Sequence, residues 1–163
     1  FLLFMKLVTF SMKQSNVMIG VLKAIHSGDA LLTPSGRSSF IINRLDESGV
    51  EVKIGKSGST IFIPANCFEQ TAEFLKSKRW VRVGALHEKE MRPVDTLDRF
   101  VKRYTHGTSA ASYVAPILEK AGIAQLDRGR PNKISLLRSS RASQNGKVYE
   151  EDELRQEKAK VNC

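Results

Sequence analysis

At Gly122 the spacing of apolar residues switches from a helical period to a strand period, and that switch limits what the chain can fold into. Before it, Val114, Ile117, Leu118 and Ala121 fall on one face of a helix. After it, Ile123-Ala124-Gln125-Leu126 and Lys133-Ile134-Ser135-Leu136-Leu137 read as two strands with a period of two. Between them, Asp127-Arg128-Gly129-Arg130-Pro131-Asn132 supplies the Gly, Pro and Asn of a tight turn. A helix must therefore stop at Gly122, the natural left-handed terminator, and feed a hairpin. Pro116 removes one backbone donor, so the helix either begins near Ser112 or bends there.

An earlier helix precedes this unit. Leu97, Phe100, Val101 and Tyr104 form its apolar stripe, with Asp95 as the N-terminal cap, Asp98 three residues on and Pro93 just outside. Its other face carries Arg99, Lys102 and Arg103, and Thr105-His106-Gly107-Thr108 ends it. On the second helix, Ser109, Ser112, Tyr113 and Lys120 are expected on the outer face. Further upstream, Cys67 to Lys76 reads as a helix with Asn66 and Glu69 as a capping pair. Trp80-Val81-Arg82-Val83 reads as a short strand, Val81 and Val83 on one side, Trp80 and Arg82 on the other. Trp80 is expected to cover a second apolar cluster, the alternative being a base-stacking role.

From residue 66 onward the order is helix, strand, helix, turn, helix, strand, wing, strand. That order resembles a winged helix-turn-helix DNA-binding domain over residues 66–137. The resemblance implies a second helix entering the major groove and a wing touching backbone or minor groove. The tip Arg128-Gly129-Arg130-Pro131 is similar to the R-G-R-P core of AT-hook peptides, in which glycine lets the backbone lie deep in a narrow A·T minor groove. On this resemblance, Arg99, Lys102 and Arg103 would anchor phosphates. Ser109, Ser112, Tyr113 and Lys120 would face bases or backbone, and Arg128, Gly129, Arg130 and Lys133 would form the wing contact. Three departures stand out: Asp127 where the hook has proline, the long connection Ala85–Pro93, and Pro116 inside the second helix.

Charge points the same way. Residues 76–141 hold 15 Lys+Arg against 6 Asp+Glu, and the remainder holds 11 of each. The whole net charge of +9 is thus concentrated around these elements. A localised excess is what a polyanion-binding face requires, since each bound phosphate displaces a counterion. A solubility role is the plain alternative.

The N-terminal part reads differently. Phe1 to Phe10 is apolar but shorter than the roughly 20 residues of a membrane span. It lacks the flanks of a signal peptide, and reads as a fragment end, sequence upstream of the true start, or an edge strand. Ser15 to Ser27 reads as a helix with Val17, Met18, Val21, Leu22 and Ile25 inward and Gly28 ending it. Three strand-like runs follow, Ser39–Arg44, Val50–Ile54 and Thr60–Ile63, joined by Asp46-Glu47-Ser48-Gly49 and Gly55-Lys56-Ser57-Gly58. The tail from Arg138 is polar and charged and reads as disordered or as a frayed helix. The expected organisation is a poorly defined segment 1–14, a helix and meander over 15–64, a winged helix-like module over 65–137, and a tail over 138–163.

Catalytic signals are sparse. Glu51-Val52-Lys53 has the E-x-K spacing of Mg²⁺-dependent nucleases, but no aspartate lies on the neighbouring run from Ser39 to Asn43, and Asp46 sits in the turn. His26, His87 and His106 form no metal motif, and Cys67 and Cys163 suggest neither metal nor disulfide framework. No phosphate-loop or nucleophile-elbow motif is present. The sequence therefore predicts an intracellular α+β protein: an N-terminal helix plus three-stranded antiparallel meander, then a C-terminal winged helix-like module. Its expected role is non-enzymatic DNA binding, with no cofactor, no metal and no membrane. The alternatives are a nuclease or nuclease-associated specificity domain, and a protein-interaction winged helix.

Overall fold

The turn chemistry after residue 28 produces an antiparallel sheet built from consecutive hairpins. Its strands are β1 (Ala30–Leu32), β2 (Ser39–Asp46), β3 (Gly49–Ile54) and β4 (Ser59–Pro64), in the order β1-β2-β3-β4. The computed structural model describes residues 16–84 and 95–138. The calls on the N-terminal segment, on the connection before Asp95 and on the tail beyond Arg138 lie outside the described residues.

The meander has four strands, where three were expected. Ala30-Leu31-Leu32 is too short to show alternation, and it becomes a strand only by pairing with β2, Leu31 opposite Phe40. Thr33 closes that hairpin: its N–H donates to the Ser38 carbonyl at 2.9 Å and its hydroxyl to the same oxygen at 3.1 Å. Phe40, Ile42, Val50, Val52 and Ile63 are buried, whereas Ile41 and Phe62 remain exposed on the opposite face. The period-two pattern therefore does select one core face. At Gly49 the chain runs so close to β4 that a Cβ would sit 2.2 Å from the Ile63 carbonyl oxygen.

Helix α1 (Asn16–Ala24) buries Met18 and Val21, with Ile25 following just beyond it. It is shorter at its C-terminus than the sequence predicts, because Gly28 lies in the turn leading to β1 rather than at the helix end. Helix α2 (Ala65–Lys76) starts directly after Pro64 and buries Cys67, Phe68, Thr71, Ala72 and Leu75. Asn66 and Glu69 do not cap it. The helix begins two residues earlier, with Pro64 in the capping position and no side-chain cap.

The C-terminal elements are β5 (Val81–Arg82), α3 (Leu97–Val101), α4 (Ala111–Lys120), β6 (Ala124–Asp127) and β7 (Lys133–Leu136). The three strands form a second antiparallel sheet in the order β5-β7-β6. The cap of α3 is Thr96 rather than Asp95: the Thr96 hydroxyl accepts from the Arg99 N–H at 3.2 Å. Asp95 instead pairs with Lys78 at 3.4 Å. The helical part of α3 is a single turn or so. Its apolar stripe is completed by packing: Phe100 stacks on Phe74 at 4.3 Å, and Tyr104 tilts against Phe100. At the end of α4, Gly122 adopts φ 71°, which lets Ile123 donate back to the Leu118 carbonyl.

One hydrophobic cluster runs through both halves. It joins Met18, Phe40, Val52 and Phe68 to Leu97, Val114, Ile117 and Ile134. Burial of this kind is the main favourable term in folding. The class is α+β.

Candidate nucleic-acid interface

The hairpin between β6 and β7 is held by its own first residue. Asp127 accepts from the Gly129 N–H at 2.9 Å, a side-chain turn that holds the two arginines apart. The arginines then diverge. Arg128 folds back onto the body of the protein: it pairs with Glu119 of α4 at 2.6 Å and reaches the Thr33 and Pro34 carbonyls at 3.3 and 3.5 Å. Arg130 is exposed at the tip and has no acid partner among the described residues.

Helix α4 is more enclosed than a single apolar stripe implies. Ala111, Val114, Ala115, Pro116, Ile117 and Leu118 are all buried, because the helix packs against α1, α3, β1 and β6. Tyr113 is not presented outward; its ring meets the edge of Phe40 at 5.1 Å and 72°. Ser112 is half-buried. Lys120 is exposed in the last turn, where a cation is favoured by the helix dipole. It lines a shallow concavity with Leu31, Leu32 and Pro116.

The residues around α3 split in the same way. Asp98 is buried, and its carboxylate takes both Lys102, at 2.8 Å, and the hydroxyl of Ser109. Ser109 thereby fastens α3 to the loop before α4, while Lys102 pairs with Asp98 one turn along α3 itself. Arg99 and Arg103 are exposed without an acid partner among the described residues, Arg103 lying over the Phe100 ring at 5.8 Å. Lys133 is half-buried on β7, opposite Arg82 on one side and Asp127 on the other.

Of the eleven sequence-predicted residues, Arg99, Arg103, Lys120 and Arg130 are thus exposed cations with no partner acid among the described residues. Lys102, Ser109, Tyr113 and Arg128 are engaged within the fold. Comparison with protein-family models, curated proteins and solved structures finds no match to this chain.

Sequence reasoning missed a second basic surface. On the outer face of the β5-β7-β6 sheet, a groove of about 600 Å³ is lined by Arg79, Trp80, Gln125, Ser135, Leu137 and Arg138. The available signal was the alternation Trp80-Val81-Arg82-Val83, which does bury Val81 and Val83 and turns Trp80 outward. Trp80 stays 41% exposed and shares the groove with Leu136 and Leu137.

The E-x-K pair is built as surface structure. Glu51 accepts from the side-chain amide of Asn43 across the β2–β3 pair, and Lys53 is exposed. Among the described residues no three His, Cys, Asp or Glu side chains are grouped to hold a metal ion. Asp46 caps its own turn, and its hydrogen bonds from Ser48 hold its carboxyl below the usual range. Burial pushes the Cys67 thiol up to about 12, which makes it a core residue and not a nucleophile. No described helix is long and apolar enough to cross a membrane.

Proposed function

We propose that this protein is a non-enzymatic DNA-binding protein, contacting duplex through the exposed edge of α3 and the β6–β7 hairpin. The observation that carries this reading is the set of exposed cations without acid partners among the described residues, Arg99, Arg103 and Arg130, in the segment that holds the entire charge excess. The element order α2-β5-α3-α4-β6-β7, with sheet order β5-β7-β6, supports a winged helix-like module. Enclosure of α4 favours a docking mode based on phosphates rather than deep helix insertion, because phosphate contacts need only surface cations.

The same enclosure favours one second reading. A helix whose candidate base-reading residue Tyr113 already rests on Phe40 suits a module that binds proteins rather than a groove. Titration of a random duplex against salt separates the two. DNA binding through phosphates gives a log–log slope of about −0.9 per phosphate contacted. A nearly flat response, or none of the affinity lost in Arg99→Ala with Arg130→Ala, would sink the DNA reading.

A further inference from the structure

We infer that the outer face of the β5-β7-β6 sheet is a binding site for single-stranded nucleic acid, with Trp80 as the stacking platform. This rests on the reading of the protein as a nucleic-acid binder, but uses a surface separate from α3 and the hairpin tip.

The register builds the site. Val81, Ile134 and Leu126 pair across the three strands and turn their side chains toward the core side. The neighbouring positions therefore point outward. On the outward face, the exposed Gln125 lies opposite Ser135, which is buried and donates its hydroxyl to the Leu136 carbonyl at 3.4 Å. Trp80, the residue before β5, lines the same groove. The groups the sheet offers there are one indole and one carboxamide.

Three features define what this groove accepts. Trp80 is the only tryptophan in the chain, it is 41% exposed, and its indole N–H has no hydrogen-bond partner among the described residues. Arg79 and Arg138 line the same groove, both exposed and without acid partners among the described residues, and no described acidic residue lines it. Gln125 offers an amide donor and acceptor within the same groove. An exposed aromatic ring with two arginines lining the same groove fits a planar base with its flanking phosphates. The groove volume lies within the roughly 300–1,000 Å³ of ordinary ligand clefts. A base inside a duplex has both faces covered by its neighbours, so only an unpaired base can offer one to the indole. An acidic peptide would meet the two arginines equally well but would have no use for the ring.

The sole tryptophan makes the test direct. The full chain is titrated with oligo(dT) and oligo(U), following both Trp80 fluorescence and the anisotropy of a labelled strand. Saturable quenching is expected with at least one of them, and the pair reports whether DNA or RNA is preferred. Trp80→Ala should weaken strand binding about tenfold or more, as the loss of one stacked base does. Trp80→Phe should retain most of it, and Arg79→Ala with Arg138→Ala should flatten its salt dependence. Duplex affinity should be unchanged in all of these, while Arg99→Ala with Arg130→Ala should do the reverse. Circular dichroism on each variant separates lost binding from lost folding, and Trp80→Leu, which keeps an apolar side chain but no ring, stands in if Trp80→Ala unfolds. Strand binding without quenching, or equal loss on strand and duplex in Trp80→Phe and Trp80→Ala, would overturn the site. Duplex binding with no strand binding would remove this proposal alone, and failure of both would remove the nucleic-acid reading with it.

Discussion

Replacing Arg128 by alanine distinguishes a DNA-contacting arginine from a structural one. In the hook-like reading both arginines of Arg128-Gly129-Arg130-Pro131 run along a groove floor. In the structure Arg128 instead joins Glu119 to the turn that connects β1 and β2. The magnitude follows from its contacts. The ion pair is short, but its side chains are 44% and 34% exposed, so solvent screening limits it to about 0.5 kcal/mol. The two carbonyl contacts, at 3.3 and 3.5 Å, are long, and together add about 0.5–1 kcal/mol. Arg128→Ala should therefore cost about 1–1.5 kcal/mol of stability. In urea unfolding followed by circular dichroism, that lowers the midpoint by about 0.5–1 M with unchanged slope. Glu119→Gln should reproduce only the ion-pair part, and that part should shrink in high salt. Arg130→Ala should leave stability unaltered and weaken duplex binding. An unchanged midpoint in Arg128→Ala, with a loss of DNA affinity equal to that of Arg130→Ala, would refute the latch and restore the hook.

Two further outcomes test the core. Gly49→Ala should destabilise by at least about 2 kcal/mol, because its Cβ would collide with the backbone of Ile63 and Pro64 in the β3–β4 pair; Gly55→Ala, at φ 63° with open space around it, should cost only about 1 kcal/mol in the same urea assay. For Cys67, a Cys163→Ser background should show no thiol reactivity at pH 8 until the protein is unfolded. The native thiol keeps its proton up to about 12, whereas the unfolded one releases it above its ordinary value of 9.0. The unfolded state then binds fewer protons, so stability must fall between those pH values, by at most about 1.4 kcal/mol per pH unit. Subtracting the profile of Cys67→Ala isolates this contribution, and coincident profiles would show that the thiol titrates normally.

Much of the architecture was legible because its causes are local. The hairpins at Asp46–Gly49 and Gly55–Gly58, the stripe of α2 and the stop at Gly122 follow from turn residues and periodicity within a few positions of one another. The α+β class and the sense of alternation in β2, β3 and β5 come from that alone. The candidate cations Arg99, Arg103, Lys120 and Arg130 were also legible, as charges opposite an apolar stripe or at a turn tip. What the tertiary structure decided depends on partners far away in the chain. β1 exists because β2 offers it a free edge, not because Ala-Leu-Leu prefers to be extended. α4 is covered on more than one face because α1 and β1 fold over it, so its outer residues could not be read from its own period. Lys102 and Ser109 look like free polar groups until the buried Asp98 carboxylate claims both. Arg128 looks like the twin of Arg130, and only the arrival of Thr33, 95 residues earlier, separates their roles. A side chain's charge is written in the sequence, but whether that charge is spent inside the fold is set by which acids and carbonyls the packing brings within reach.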